Sequence, residues 1–236
     1  VKAVVQAQHY PCFNLPVRCI IKWQPLQKRW FQVIKLAKLQ LDLLRHGETS
    51  LGHTLRGWLD DELTEQGWSQ MQATVQHHLN QKNWDVVVSS PLQRCRLFSE
   101  KLSNDLQRPL FINEYLKEMY FGDWEGISTQ TIYETLPELL ANFWQFPTQY
   151  HAPNGESLAE FHQRVFNGFQ QIAEYMRQHQ YHSALVVTHG GVIKLLSCLA
   201  QQQCLDDLLK MSAEPGQLHS FRLSHQPAQL SFEKVE

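Results

Sequence analysis

The 236-residue sequence predicts an α/β fold: a three-layer α/β/α sandwich with a mostly parallel central sheet. Two observations carry this prediction. Short apolar runs typical of buried strands alternate along the chain with longer segments of helical periodicity. Three of these runs, residues 39–44, 85–88 and 184–187, end directly in polar residues. The carboxyl ends of parallel strands meet at one edge of a sheet, where ligands bind.

The predicted elements follow one another in strand–helix order. Strands are predicted where apolar residues form short runs, and helices where apolar residues recur every three or four positions. The predicted strands cover residues 39–44, 85–88, 109–112, 184–187, 217–223 and 229–235, the last two as an antiparallel pair. The predicted helices cover residues 64–80 with Thr64 as N-cap, 89–106, 127–146 with an interruption at Pro137, 157–179, and a segment beginning near residue 190.

Polar residues at two predicted helix starts support these boundaries. Ser157 followed by Glu160 forms a capping box, in which each residue binds a backbone N–H group of the other. We expect Ser89 or Ser90 to cap the second helix. Pro91 then lies in the first turn, where its missing N–H group costs nothing.

Charge divides the chain into two parts. Residues 1–41 hold seven basic side chains and no acidic ones, whereas the rest holds 14 basic and 23 acidic side chains. We expect residues 1–38 to be an N-terminal extension that is poorly ordered or not native; the alternative is that the amphipathic run 30–39 is a membrane-surface or partner anchor. Residues 39–236 form the single predicted domain. Its acidic balance disfavours nucleic acid as a partner, because binding to a phosphate backbone needs a basic face.

The composition indicates a cytoplasmic protein. The apolar runs are too short to cross a bilayer, and no secretory signal pattern occurs. Five cysteines form no CxxC pair, which fits free thiols in a reducing compartment. We expect a monomer or a homodimer.

The first predicted strand ends in Arg45-His46-Gly47. A histidine in this place can attack a phosphoryl group when its imidazole is neutral and is aimed through its other ring nitrogen. Arg45 can hold phosphate oxygens with its planar guanidinium. A capped strand end with a surface ion pair is the alternative interpretation of this motif taken alone.

The other two strand ends supply further candidates. Arg94 is predicted in the first turn of a helix that starts at the same sheet edge, which brings a second guanidinium near the same phosphate. His189 is followed by Gly190 and Gly191, which allow close approach of the backbone to an anion at a helix N-terminus. Taken separately, an ordinary surface arginine and a hydrogen-bonded strand-end histidine are the alternatives.

Phosphoryl transfer to a histidine also needs an acid that protonates the leaving oxygen. The same group can then act as the base for the water that opens the phosphohistidine. Three carboxyl groups are candidates in the segment 118–126, namely Glu118, Asp123 and Glu125. Spacing alone does not choose among them.

The segments LLRHGET, SSPLQR, EMYFGDWEG and VVTHGG occur in this order, and together they resemble the histidine phosphatase superfamily, also called phosphoglycerate-mutase-like. The resemblance covers about residues 41–223. It implies that His46 is the phosphorylated nucleophile and that Glu118 transfers the proton, and it leaves Glu125 a structural part. It implies neither a metal nor a cofactor. The implied phosphate-binding residues are Arg45, Arg94, His189 and Gly190.

Finer features resemble the bacterial alpha-ribazole phosphatase group within this superfamily. That group removes the 5'-phosphate of alpha-ribazole 5'-phosphate, or of the corresponding cobamide phosphate, in cobalamin biosynthesis. Cofactor-dependent mutases usually carry an Asn shortly after the RHGE segment, where this chain has none. The segments that carry the resemblance are 52–57, 60–64, 67–71, 91–95 and 121–126.

The resemblance therefore implies a phosphomonoesterase that acts on a small-molecule phosphoester. The candidate substrate-binding residues are Arg56, Thr49 and Trp124. The alternatives are a histidine phosphatase of other or broad small-molecule specificity, a phosphoglycerate mutase, and a non-catalytic protein that binds a phosphorylated partner. The presence of His46 with all its expected helpers speaks against the last of these.

Overall fold

A computed structural model describes residues 38–226 and 229–235 of the chain. Within these residues six strands form one sheet, with α-helices and short 3₁₀ helices around it. The strands are β1 (Leu39–Arg45), β2 (Val86–Ser89), β3 (Leu110–Ile112), β4 (Ser183–Thr188), β5 (Leu218–Gln226) and β6 (Gln229–Val235). The α-helices are α1 (Glu65–Leu79), α2 (Gln93–Leu106), α3 (Thr129–Thr135), α4 (Pro137–Gln145), α5 (Leu158–Gln178) and α6 (Gly190–Ala200). The 3₁₀ helices are Glu114–Leu116, Gly122–Trp124 and Leu205–Lys210.

The sheet is mostly parallel, as the sequence predicts. Its strand order is β3-β2-β4-β1-β5-β6. The pairs β3–β2, β2–β4 and β4–β1 are parallel, whereas β5 runs antiparallel to β1 and β6 antiparallel to β5. The chain can pair β5 and β6 directly because a short turn suffices for antiparallel neighbours, while the parallel strands need crossover connections through helices.

The sheet is covered on both faces, which confirms the three-layer sandwich. Side chains of β4 alternate between two apolar clusters, as successive strand residues point to opposite faces. Ala184 and Val186 pack in one cluster with residues of α5 and α6. Leu185 and Val187 pack in the other with residues of α1 and α2. This packing explains why the central strands appear in the sequence as nearly continuous apolar runs.

Two of the three predicted helix caps are confirmed. Thr64 accepts a hydrogen bond from the N–H group of Gly67 at the start of α1. Ser157 and Glu160 form the predicted capping box of α5.

The predicted cap of the second helix is wrong. Helix α2 begins at Gln93, and its N-cap Leu92 makes no side-chain capping hydrogen bond. The N–H group of Gln93 donates to a carboxylate oxygen of Asp60 at 2.6 Å. The hydroxyl of Ser90 lies 2.7 Å from a ring nitrogen of His189, and it accepts only a long hydrogen bond of 3.4 Å from the N–H group of Leu92. Pro91 accordingly precedes the helix rather than lying in its first turn, although Arg94 does lie there.

The predicted N-terminal extension, residues 1–38, lies outside the described residues except for its last position. The expectations about its order, origin and anchoring therefore stay predictions. In residues 38–226 and 229–235, none of the helices is both long enough and apolar enough to cross a membrane.

Candidate active site

Three adjacent strands end side by side at one edge of the sheet, because β4 lies between β2 and β1. Hydrogen bonding continues past the strand ends. The N–H group of His46 donates to the carbonyl of Thr188 at 2.9 Å, and the N–H group of Ser90 donates to the carbonyl of Val187 at 3.0 Å. The fold thus gathers the residues that follow β1, β2 and β4, which confirms that these polar strand ends meet.

His46 is held as a neutral imidazole, and its second ring nitrogen has no hydrogen-bond partner among the described residues. Its Nδ1 lies 2.8 Å from the carbonyl oxygen of Gly47. A carbonyl only accepts, so Nδ1 carries the proton and Nε2 keeps its lone pair. Burial lowers the pKa of His46 well below the usual 6.5, and the charges of Arg94 and Arg45 lower it further. At neutral pH the lone pair on Nε2 is therefore available to attack an electrophile.

His189 lies against His46 and is completely buried. Its Nε2 is 2.7 Å from the hydroxyl oxygen of Ser90. Burial lowers the pKa of His189 well below its usual value, and the nearby charge of Arg94 lowers it further. Ser90 therefore has a fixed role at the strand ends, since it orients a histidine that the sequence also assigns to the site.

Arg94 is a fully buried cation near His46. Its two terminal nitrogens donate to the carbonyl oxygens of Leu59 and Gly57, both at 2.7 Å, and one of them lies 3.1 Å from a carboxylate oxygen of Asp61. The Nε atom of Arg94 has no hydrogen-bond partner among the described residues. The guanidinium thus supplies positive charge beside His46 and anchors the loop at 57–61.

Arg45 and Glu118 both line a cavity at this edge. A terminal nitrogen of Arg45 donates to the carbonyl of Ala213, and its Nε is unpartnered among the described residues. The carboxylate of Glu118 accepts hydrogen bonds from its neighbour Met119 and from the N–H group of Gly191, each at 2.9 Å. The acid is thereby tied to the N-terminus of α6, next to His189.

Glu125 explains how the loop around Arg94 keeps its shape. One carboxylate oxygen of Glu125 accepts from the N–H groups of Gly57, Trp58 and Phe121 at 2.9–3.0 Å. The other accepts from the N–H group of Leu59 at 2.8 Å. With four backbone partners, this carboxylate is a structural anchor of the loop. Arg94 holds the same loop through the carbonyl groups of Gly57 and Leu59.

The cavity has a volume of about 610 Å³ and a mixed lining. The polar lining contains Arg45, His46, Thr49, Arg56, Glu118, Gly190 and Lys194. The apolar lining contains Phe121, Phe143, Trp144, Pro147, Leu158, Phe161, Leu208 and Leu209. Such a combination of a few convergent polar groups with an apolar wall is typical of a small-molecule site.

The predicted phosphate-binding residues separate into two groups. Arg45 and Gly190 line the cavity, and a side chain at Gly190 would lie only 3.2 Å from Nε of Arg45, so the glycine leaves room for the guanidinium. Arg94 and His189 are fully buried near His46 and are not among the lining residues. Direct contact of these two with a phosphate stays a prediction.

Two of the three candidate substrate-binding residues line the cavity, and one does not. Thr49 is buried, and its hydroxyl has no partner among the described residues. Arg56 lies 3.6 Å from a carboxylate oxygen of Asp61. Trp124 does not line the cavity, which corrects its prediction as a substrate-binding residue. It is 2% exposed and packs edge to face against Phe143 in the core, because the 3₁₀ helix that carries it turns its ring inward.

Three residues at or near the site were not predicted from the sequence, namely Lys194, Asp61 and Arg164. Lys194 lines the cavity one turn after Gly190 on α6, and the i, i+4 spacing was a usable signal for its position. Asp61 is one of three neighbouring acids and has no distinguishing pattern. Arg164 binds the segment that carries Glu118 from a helix far along the chain. In the described ranges, three or more His, Cys, Asp or Glu side chains are nowhere grouped so that they could hold a metal ion.

Comparison with known proteins agrees with this geometry. The model of the histidine phosphatase superfamily (branch 1) matches residues 41–234. The chain is 34% identical to the adenosylcobalamin/alpha-ribazole phosphatase of Escherichia coli K12 over 165 residues, which cover 67% of this chain and 77% of that protein. It is 28% identical to phosphoserine phosphatase 1 of Hydrogenobacter thermophilus over 162 residues, which cover 68% and 75%.

A solved structure extends the likeness to three dimensions. The alpha-ribazole phosphatase from Shigella flexneri superposes with a TM-score of 0.68 at 26% identity, covering 84% of this chain and 96% of that one. The family match spans both His46 and His189, as well as the segment that carries Glu118. The chain therefore belongs to the histidine phosphatase superfamily, branch 1, a family of phosphatases with the phosphoglycerate-mutase-like fold.

Proposed function

We propose that the protein hydrolyses phosphomonoesters through a phosphohistidine on His46. The observation that carries the proposal is the neutral His46 ring, whose Nδ1 binds the carbonyl of Gly47, at a cavity that also holds Arg45 and Glu118. A nucleophile, a cation and a carboxyl group thus face the same space. Positioning and charge stabilisation are the main sources of catalysis in phosphoryl transfer.

The proposed reaction has two steps. In the first, Nε2 of His46 forms a bond to phosphorus while the bond to the leaving oxygen breaks, and Glu118 gives its proton to that oxygen. In the second step, the oxygen of a water molecule attacks phosphorus while the water gives a proton to Glu118. The bond between phosphorus and Nε2 of His46 breaks, which releases inorganic phosphate and free His46. Arg45, the buried charge of Arg94 and the backbone at Gly190 offset the negative charge of the phosphoryl group.

We propose alpha-ribazole 5'-phosphate, or the corresponding cobamide phosphate, as the substrate. Its leaving group carries a flat benzimidazole ring, which suits the apolar part of the cavity. Trp144 is 49% exposed and also lines this cavity, so its ring is accessible to a ligand. Stacking on an aromatic side chain is worth about 1 kcal/mol beyond the area buried. The free thiols of Cys95, Cys198 and Cys204 support a cytoplasmic location.

A second candidate is a small substrate with a carboxylate, such as phosphoserine. Lys194 favours it, because this cation lines the cavity and its amino group contacts the carbonyl of Leu209 at 3.3 Å. Among the described residues it forms no ion pair. A neighbouring carboxylate on the substrate would supply that partner.

The two candidates are distinguished by phosphate release from alpha-ribazole 5'-phosphate, phosphoserine and 3-phosphoglycerate. We expect kcat/KM for alpha-ribazole 5'-phosphate to exceed the others by about 100-fold or more. We expect Trp144→Ala to lower it about tenfold for that substrate alone. A preference for phosphoserine that Lys194→Met abolishes would support the second candidate. His46→Ala serves as the inactive control, and full activity in this variant would contradict both.

A further inference from the structure

Arg164 of α5 forms a two-point ion pair with Glu156, which lies just before this helix. Nε and Nη2 of Arg164 donate to the two carboxylate oxygens of Glu156 at 2.7 and 2.8 Å. The side chains are only 15% and 11% exposed. A bidentate pair of this kind fixes the plane of the guanidinium, which a single contact would not do.

The remaining donor capacity of Arg164 is directed at the backbone that carries Glu118. Nη1 donates to the carbonyl oxygens of Tyr115 and Lys117 at 2.7 and 2.9 Å. Nη2 also donates to the carbonyl oxygen of Glu118 at 3.0 Å. The Arg164 side chain therefore holds three carbonyl groups of one segment. At Lys117 and Glu118 this segment is neither helix nor strand.

Glu156 holds the same segment from its other end. Its backbone N–H group donates to the carbonyl of Tyr120 at 2.8 Å. Its carboxylate accepts from the N–H group of Tyr120 at 3.2 Å. Trp58 adds a hydrogen bond of 3.0 Å from its indole nitrogen to the carbonyl of Glu118. The main chain on both sides of Glu118 is thus fixed by side chains from distant parts of the sequence.

This arrangement determines where the carboxyl group of Glu118 can lie. Its main chain is held from one side by Arg164, and its carboxylate is held from the other by the N–H group of Gly191. A displacement of about 1 Å in a reacting group can cost about 100-fold in rate. The main-chain anchor therefore matters for proton transfer even though Arg164 and Glu156 do not line the cavity.

We propose that Arg164 and Glu156 are positioning residues that aim Glu118 at the leaving oxygen of the substrate. The inference rests on the proposed function, because accurate aim matters only if Glu118 donates the proton. A merely structural pair would slow all substrates alike when it is broken. A positioning pair slows most the substrates whose leaving group needs a proton.

The test compares kcat/KM for phenyl phosphate and p-nitrophenyl phosphate, since p-nitrophenolate leaves without help while phenolate is far more basic. The ratio of the two values does not depend on the fraction of folded protein. The variants are Glu118→Gln and Arg164→Lys, which keeps the charge but loses the fork. Arg177→Lys is the matched control, because Arg177 pairs with Glu174 on the exposed face of the same helix.

We expect Glu118→Gln to lower the phenyl to p-nitrophenyl ratio by about 100-fold. We expect Arg164→Lys to lower the same ratio about tenfold, with Arg177→Lys unchanged. If Glu118→Gln changes the ratio and Arg164→Lys does not, the positioning role is overturned, whatever happens to the absolute rates. If Glu118→Gln leaves the ratio unchanged, Glu118 is not the acid, and both the proton-transfer assignment and this inference fail.

Discussion

The imidazole rings of His46 and His189 meet edge to face, with their centroids 5.2 Å apart and their planes at 64°. Each ring is fixed from its far side, His46 by the carbonyl of Gly47 and His189 by the hydroxyl of Ser90. The two rings link the carboxyl ends of the paired strands β1 and β4. Because the charge of Arg94 is close to both, a proton on either ring would add a positive charge to a buried cationic site.

The two histidines should make stability depend on pH. Burial and nearby arginines lower both pKa values in the folded state, whereas the unfolded values stay near 6.5. Well above pH 6.5 both histidines are neutral in the folded and in the unfolded state, so their contribution to stability does not change with pH. Below pH 6.5 the unfolded chain takes up protons that the folded chain does not, so the free energy of unfolding falls, by up to about 1.4 kcal/mol per pH unit for each histidine.

Urea unfolding of wild type and His189→Gln between about pH 7.5 and pH 5.5 measures this effect. The variant should lose less stability per pH unit than wild type, by up to about 1.4 kcal/mol. Contributions from other titrating groups are common to both proteins and cancel in the difference. Equal slopes would mean that His189 titrates normally in the folded protein.

Gly191→Ala should slow catalysis without lowering the stability of the fold. A methyl group at this position would overlap the Oε1 atom of Glu118. Because that atom is the end of a side chain and not part of the main chain, the fold can accept the methyl group while the carboxylate turns away. We expect kcat to fall by about 100-fold or more with little change in Tm.

A control on the same helix separates this effect from a general disturbance of α6. Ser197→Ala removes a buried hydroxyl that has no partner among the described residues, so near-normal kcat and Tm are expected. Normal turnover in Gly191→Ala would show that the position of the Glu118 carboxylate is unimportant.

Asp42 is a buried acid within the apolar run of β1. It accepts hydrogen bonds from Lys82 and Ser220 at 2.6 Å and from the indole of Trp84 at 2.7 Å. Burial raises the pKa of Asp42, but these partners outweigh burial and hold it below 3.8. Its contribution to stability is therefore present above about pH 4 and is lost as the pH falls through the lowered value.

Asp42→Ala should destabilise the protein by about 2 kcal/mol, because it leaves the buried indole N–H of Trp84 without an acceptor and removes the counter-charge of Lys82. The free energy of unfolding in urea measures this loss, and kcat/KM per folded molecule should stay the same. A loss in the free energy of unfolding below about 1 kcal/mol would mean that the hydrogen bonds of Asp42 contribute little to stability.

Local patterns predicted the fold and the residues at the strand ends. Strand runs such as 184–187 are visible because both faces of the sheet are covered, and the polar residues after them stand out for the same reason. Ser90 shows where local patterns are insufficient. A serine before a proline fits a helix cap, but its hydroxyl serves His189, which is 99 residues away in sequence.

Other contacts between residues far apart in the sequence could not be predicted either, because local patterns do not show which distant residues meet. Trp124 was a candidate substrate-binding residue, yet the short helix Gly122–Trp124 directs it into the core. Arg164 was not singled out from the sequence, and its carbonyl partners are 46 to 49 residues distant. A carbonyl group has no sequence signature, since every residue carries one.

The most direct test of the account is to look for the phosphoryl group on His46. Enzyme mixed with p-nitrophenyl phosphate is quenched in alkali within the first turnover, and the peptides are mapped by mass. We expect one phosphoryl group on the peptide that contains His46, its loss once substrate is exhausted, and its absence in His46→Ala. Steady phosphate release without any protein-bound phosphoryl group, or by His46→Ala, would contradict it.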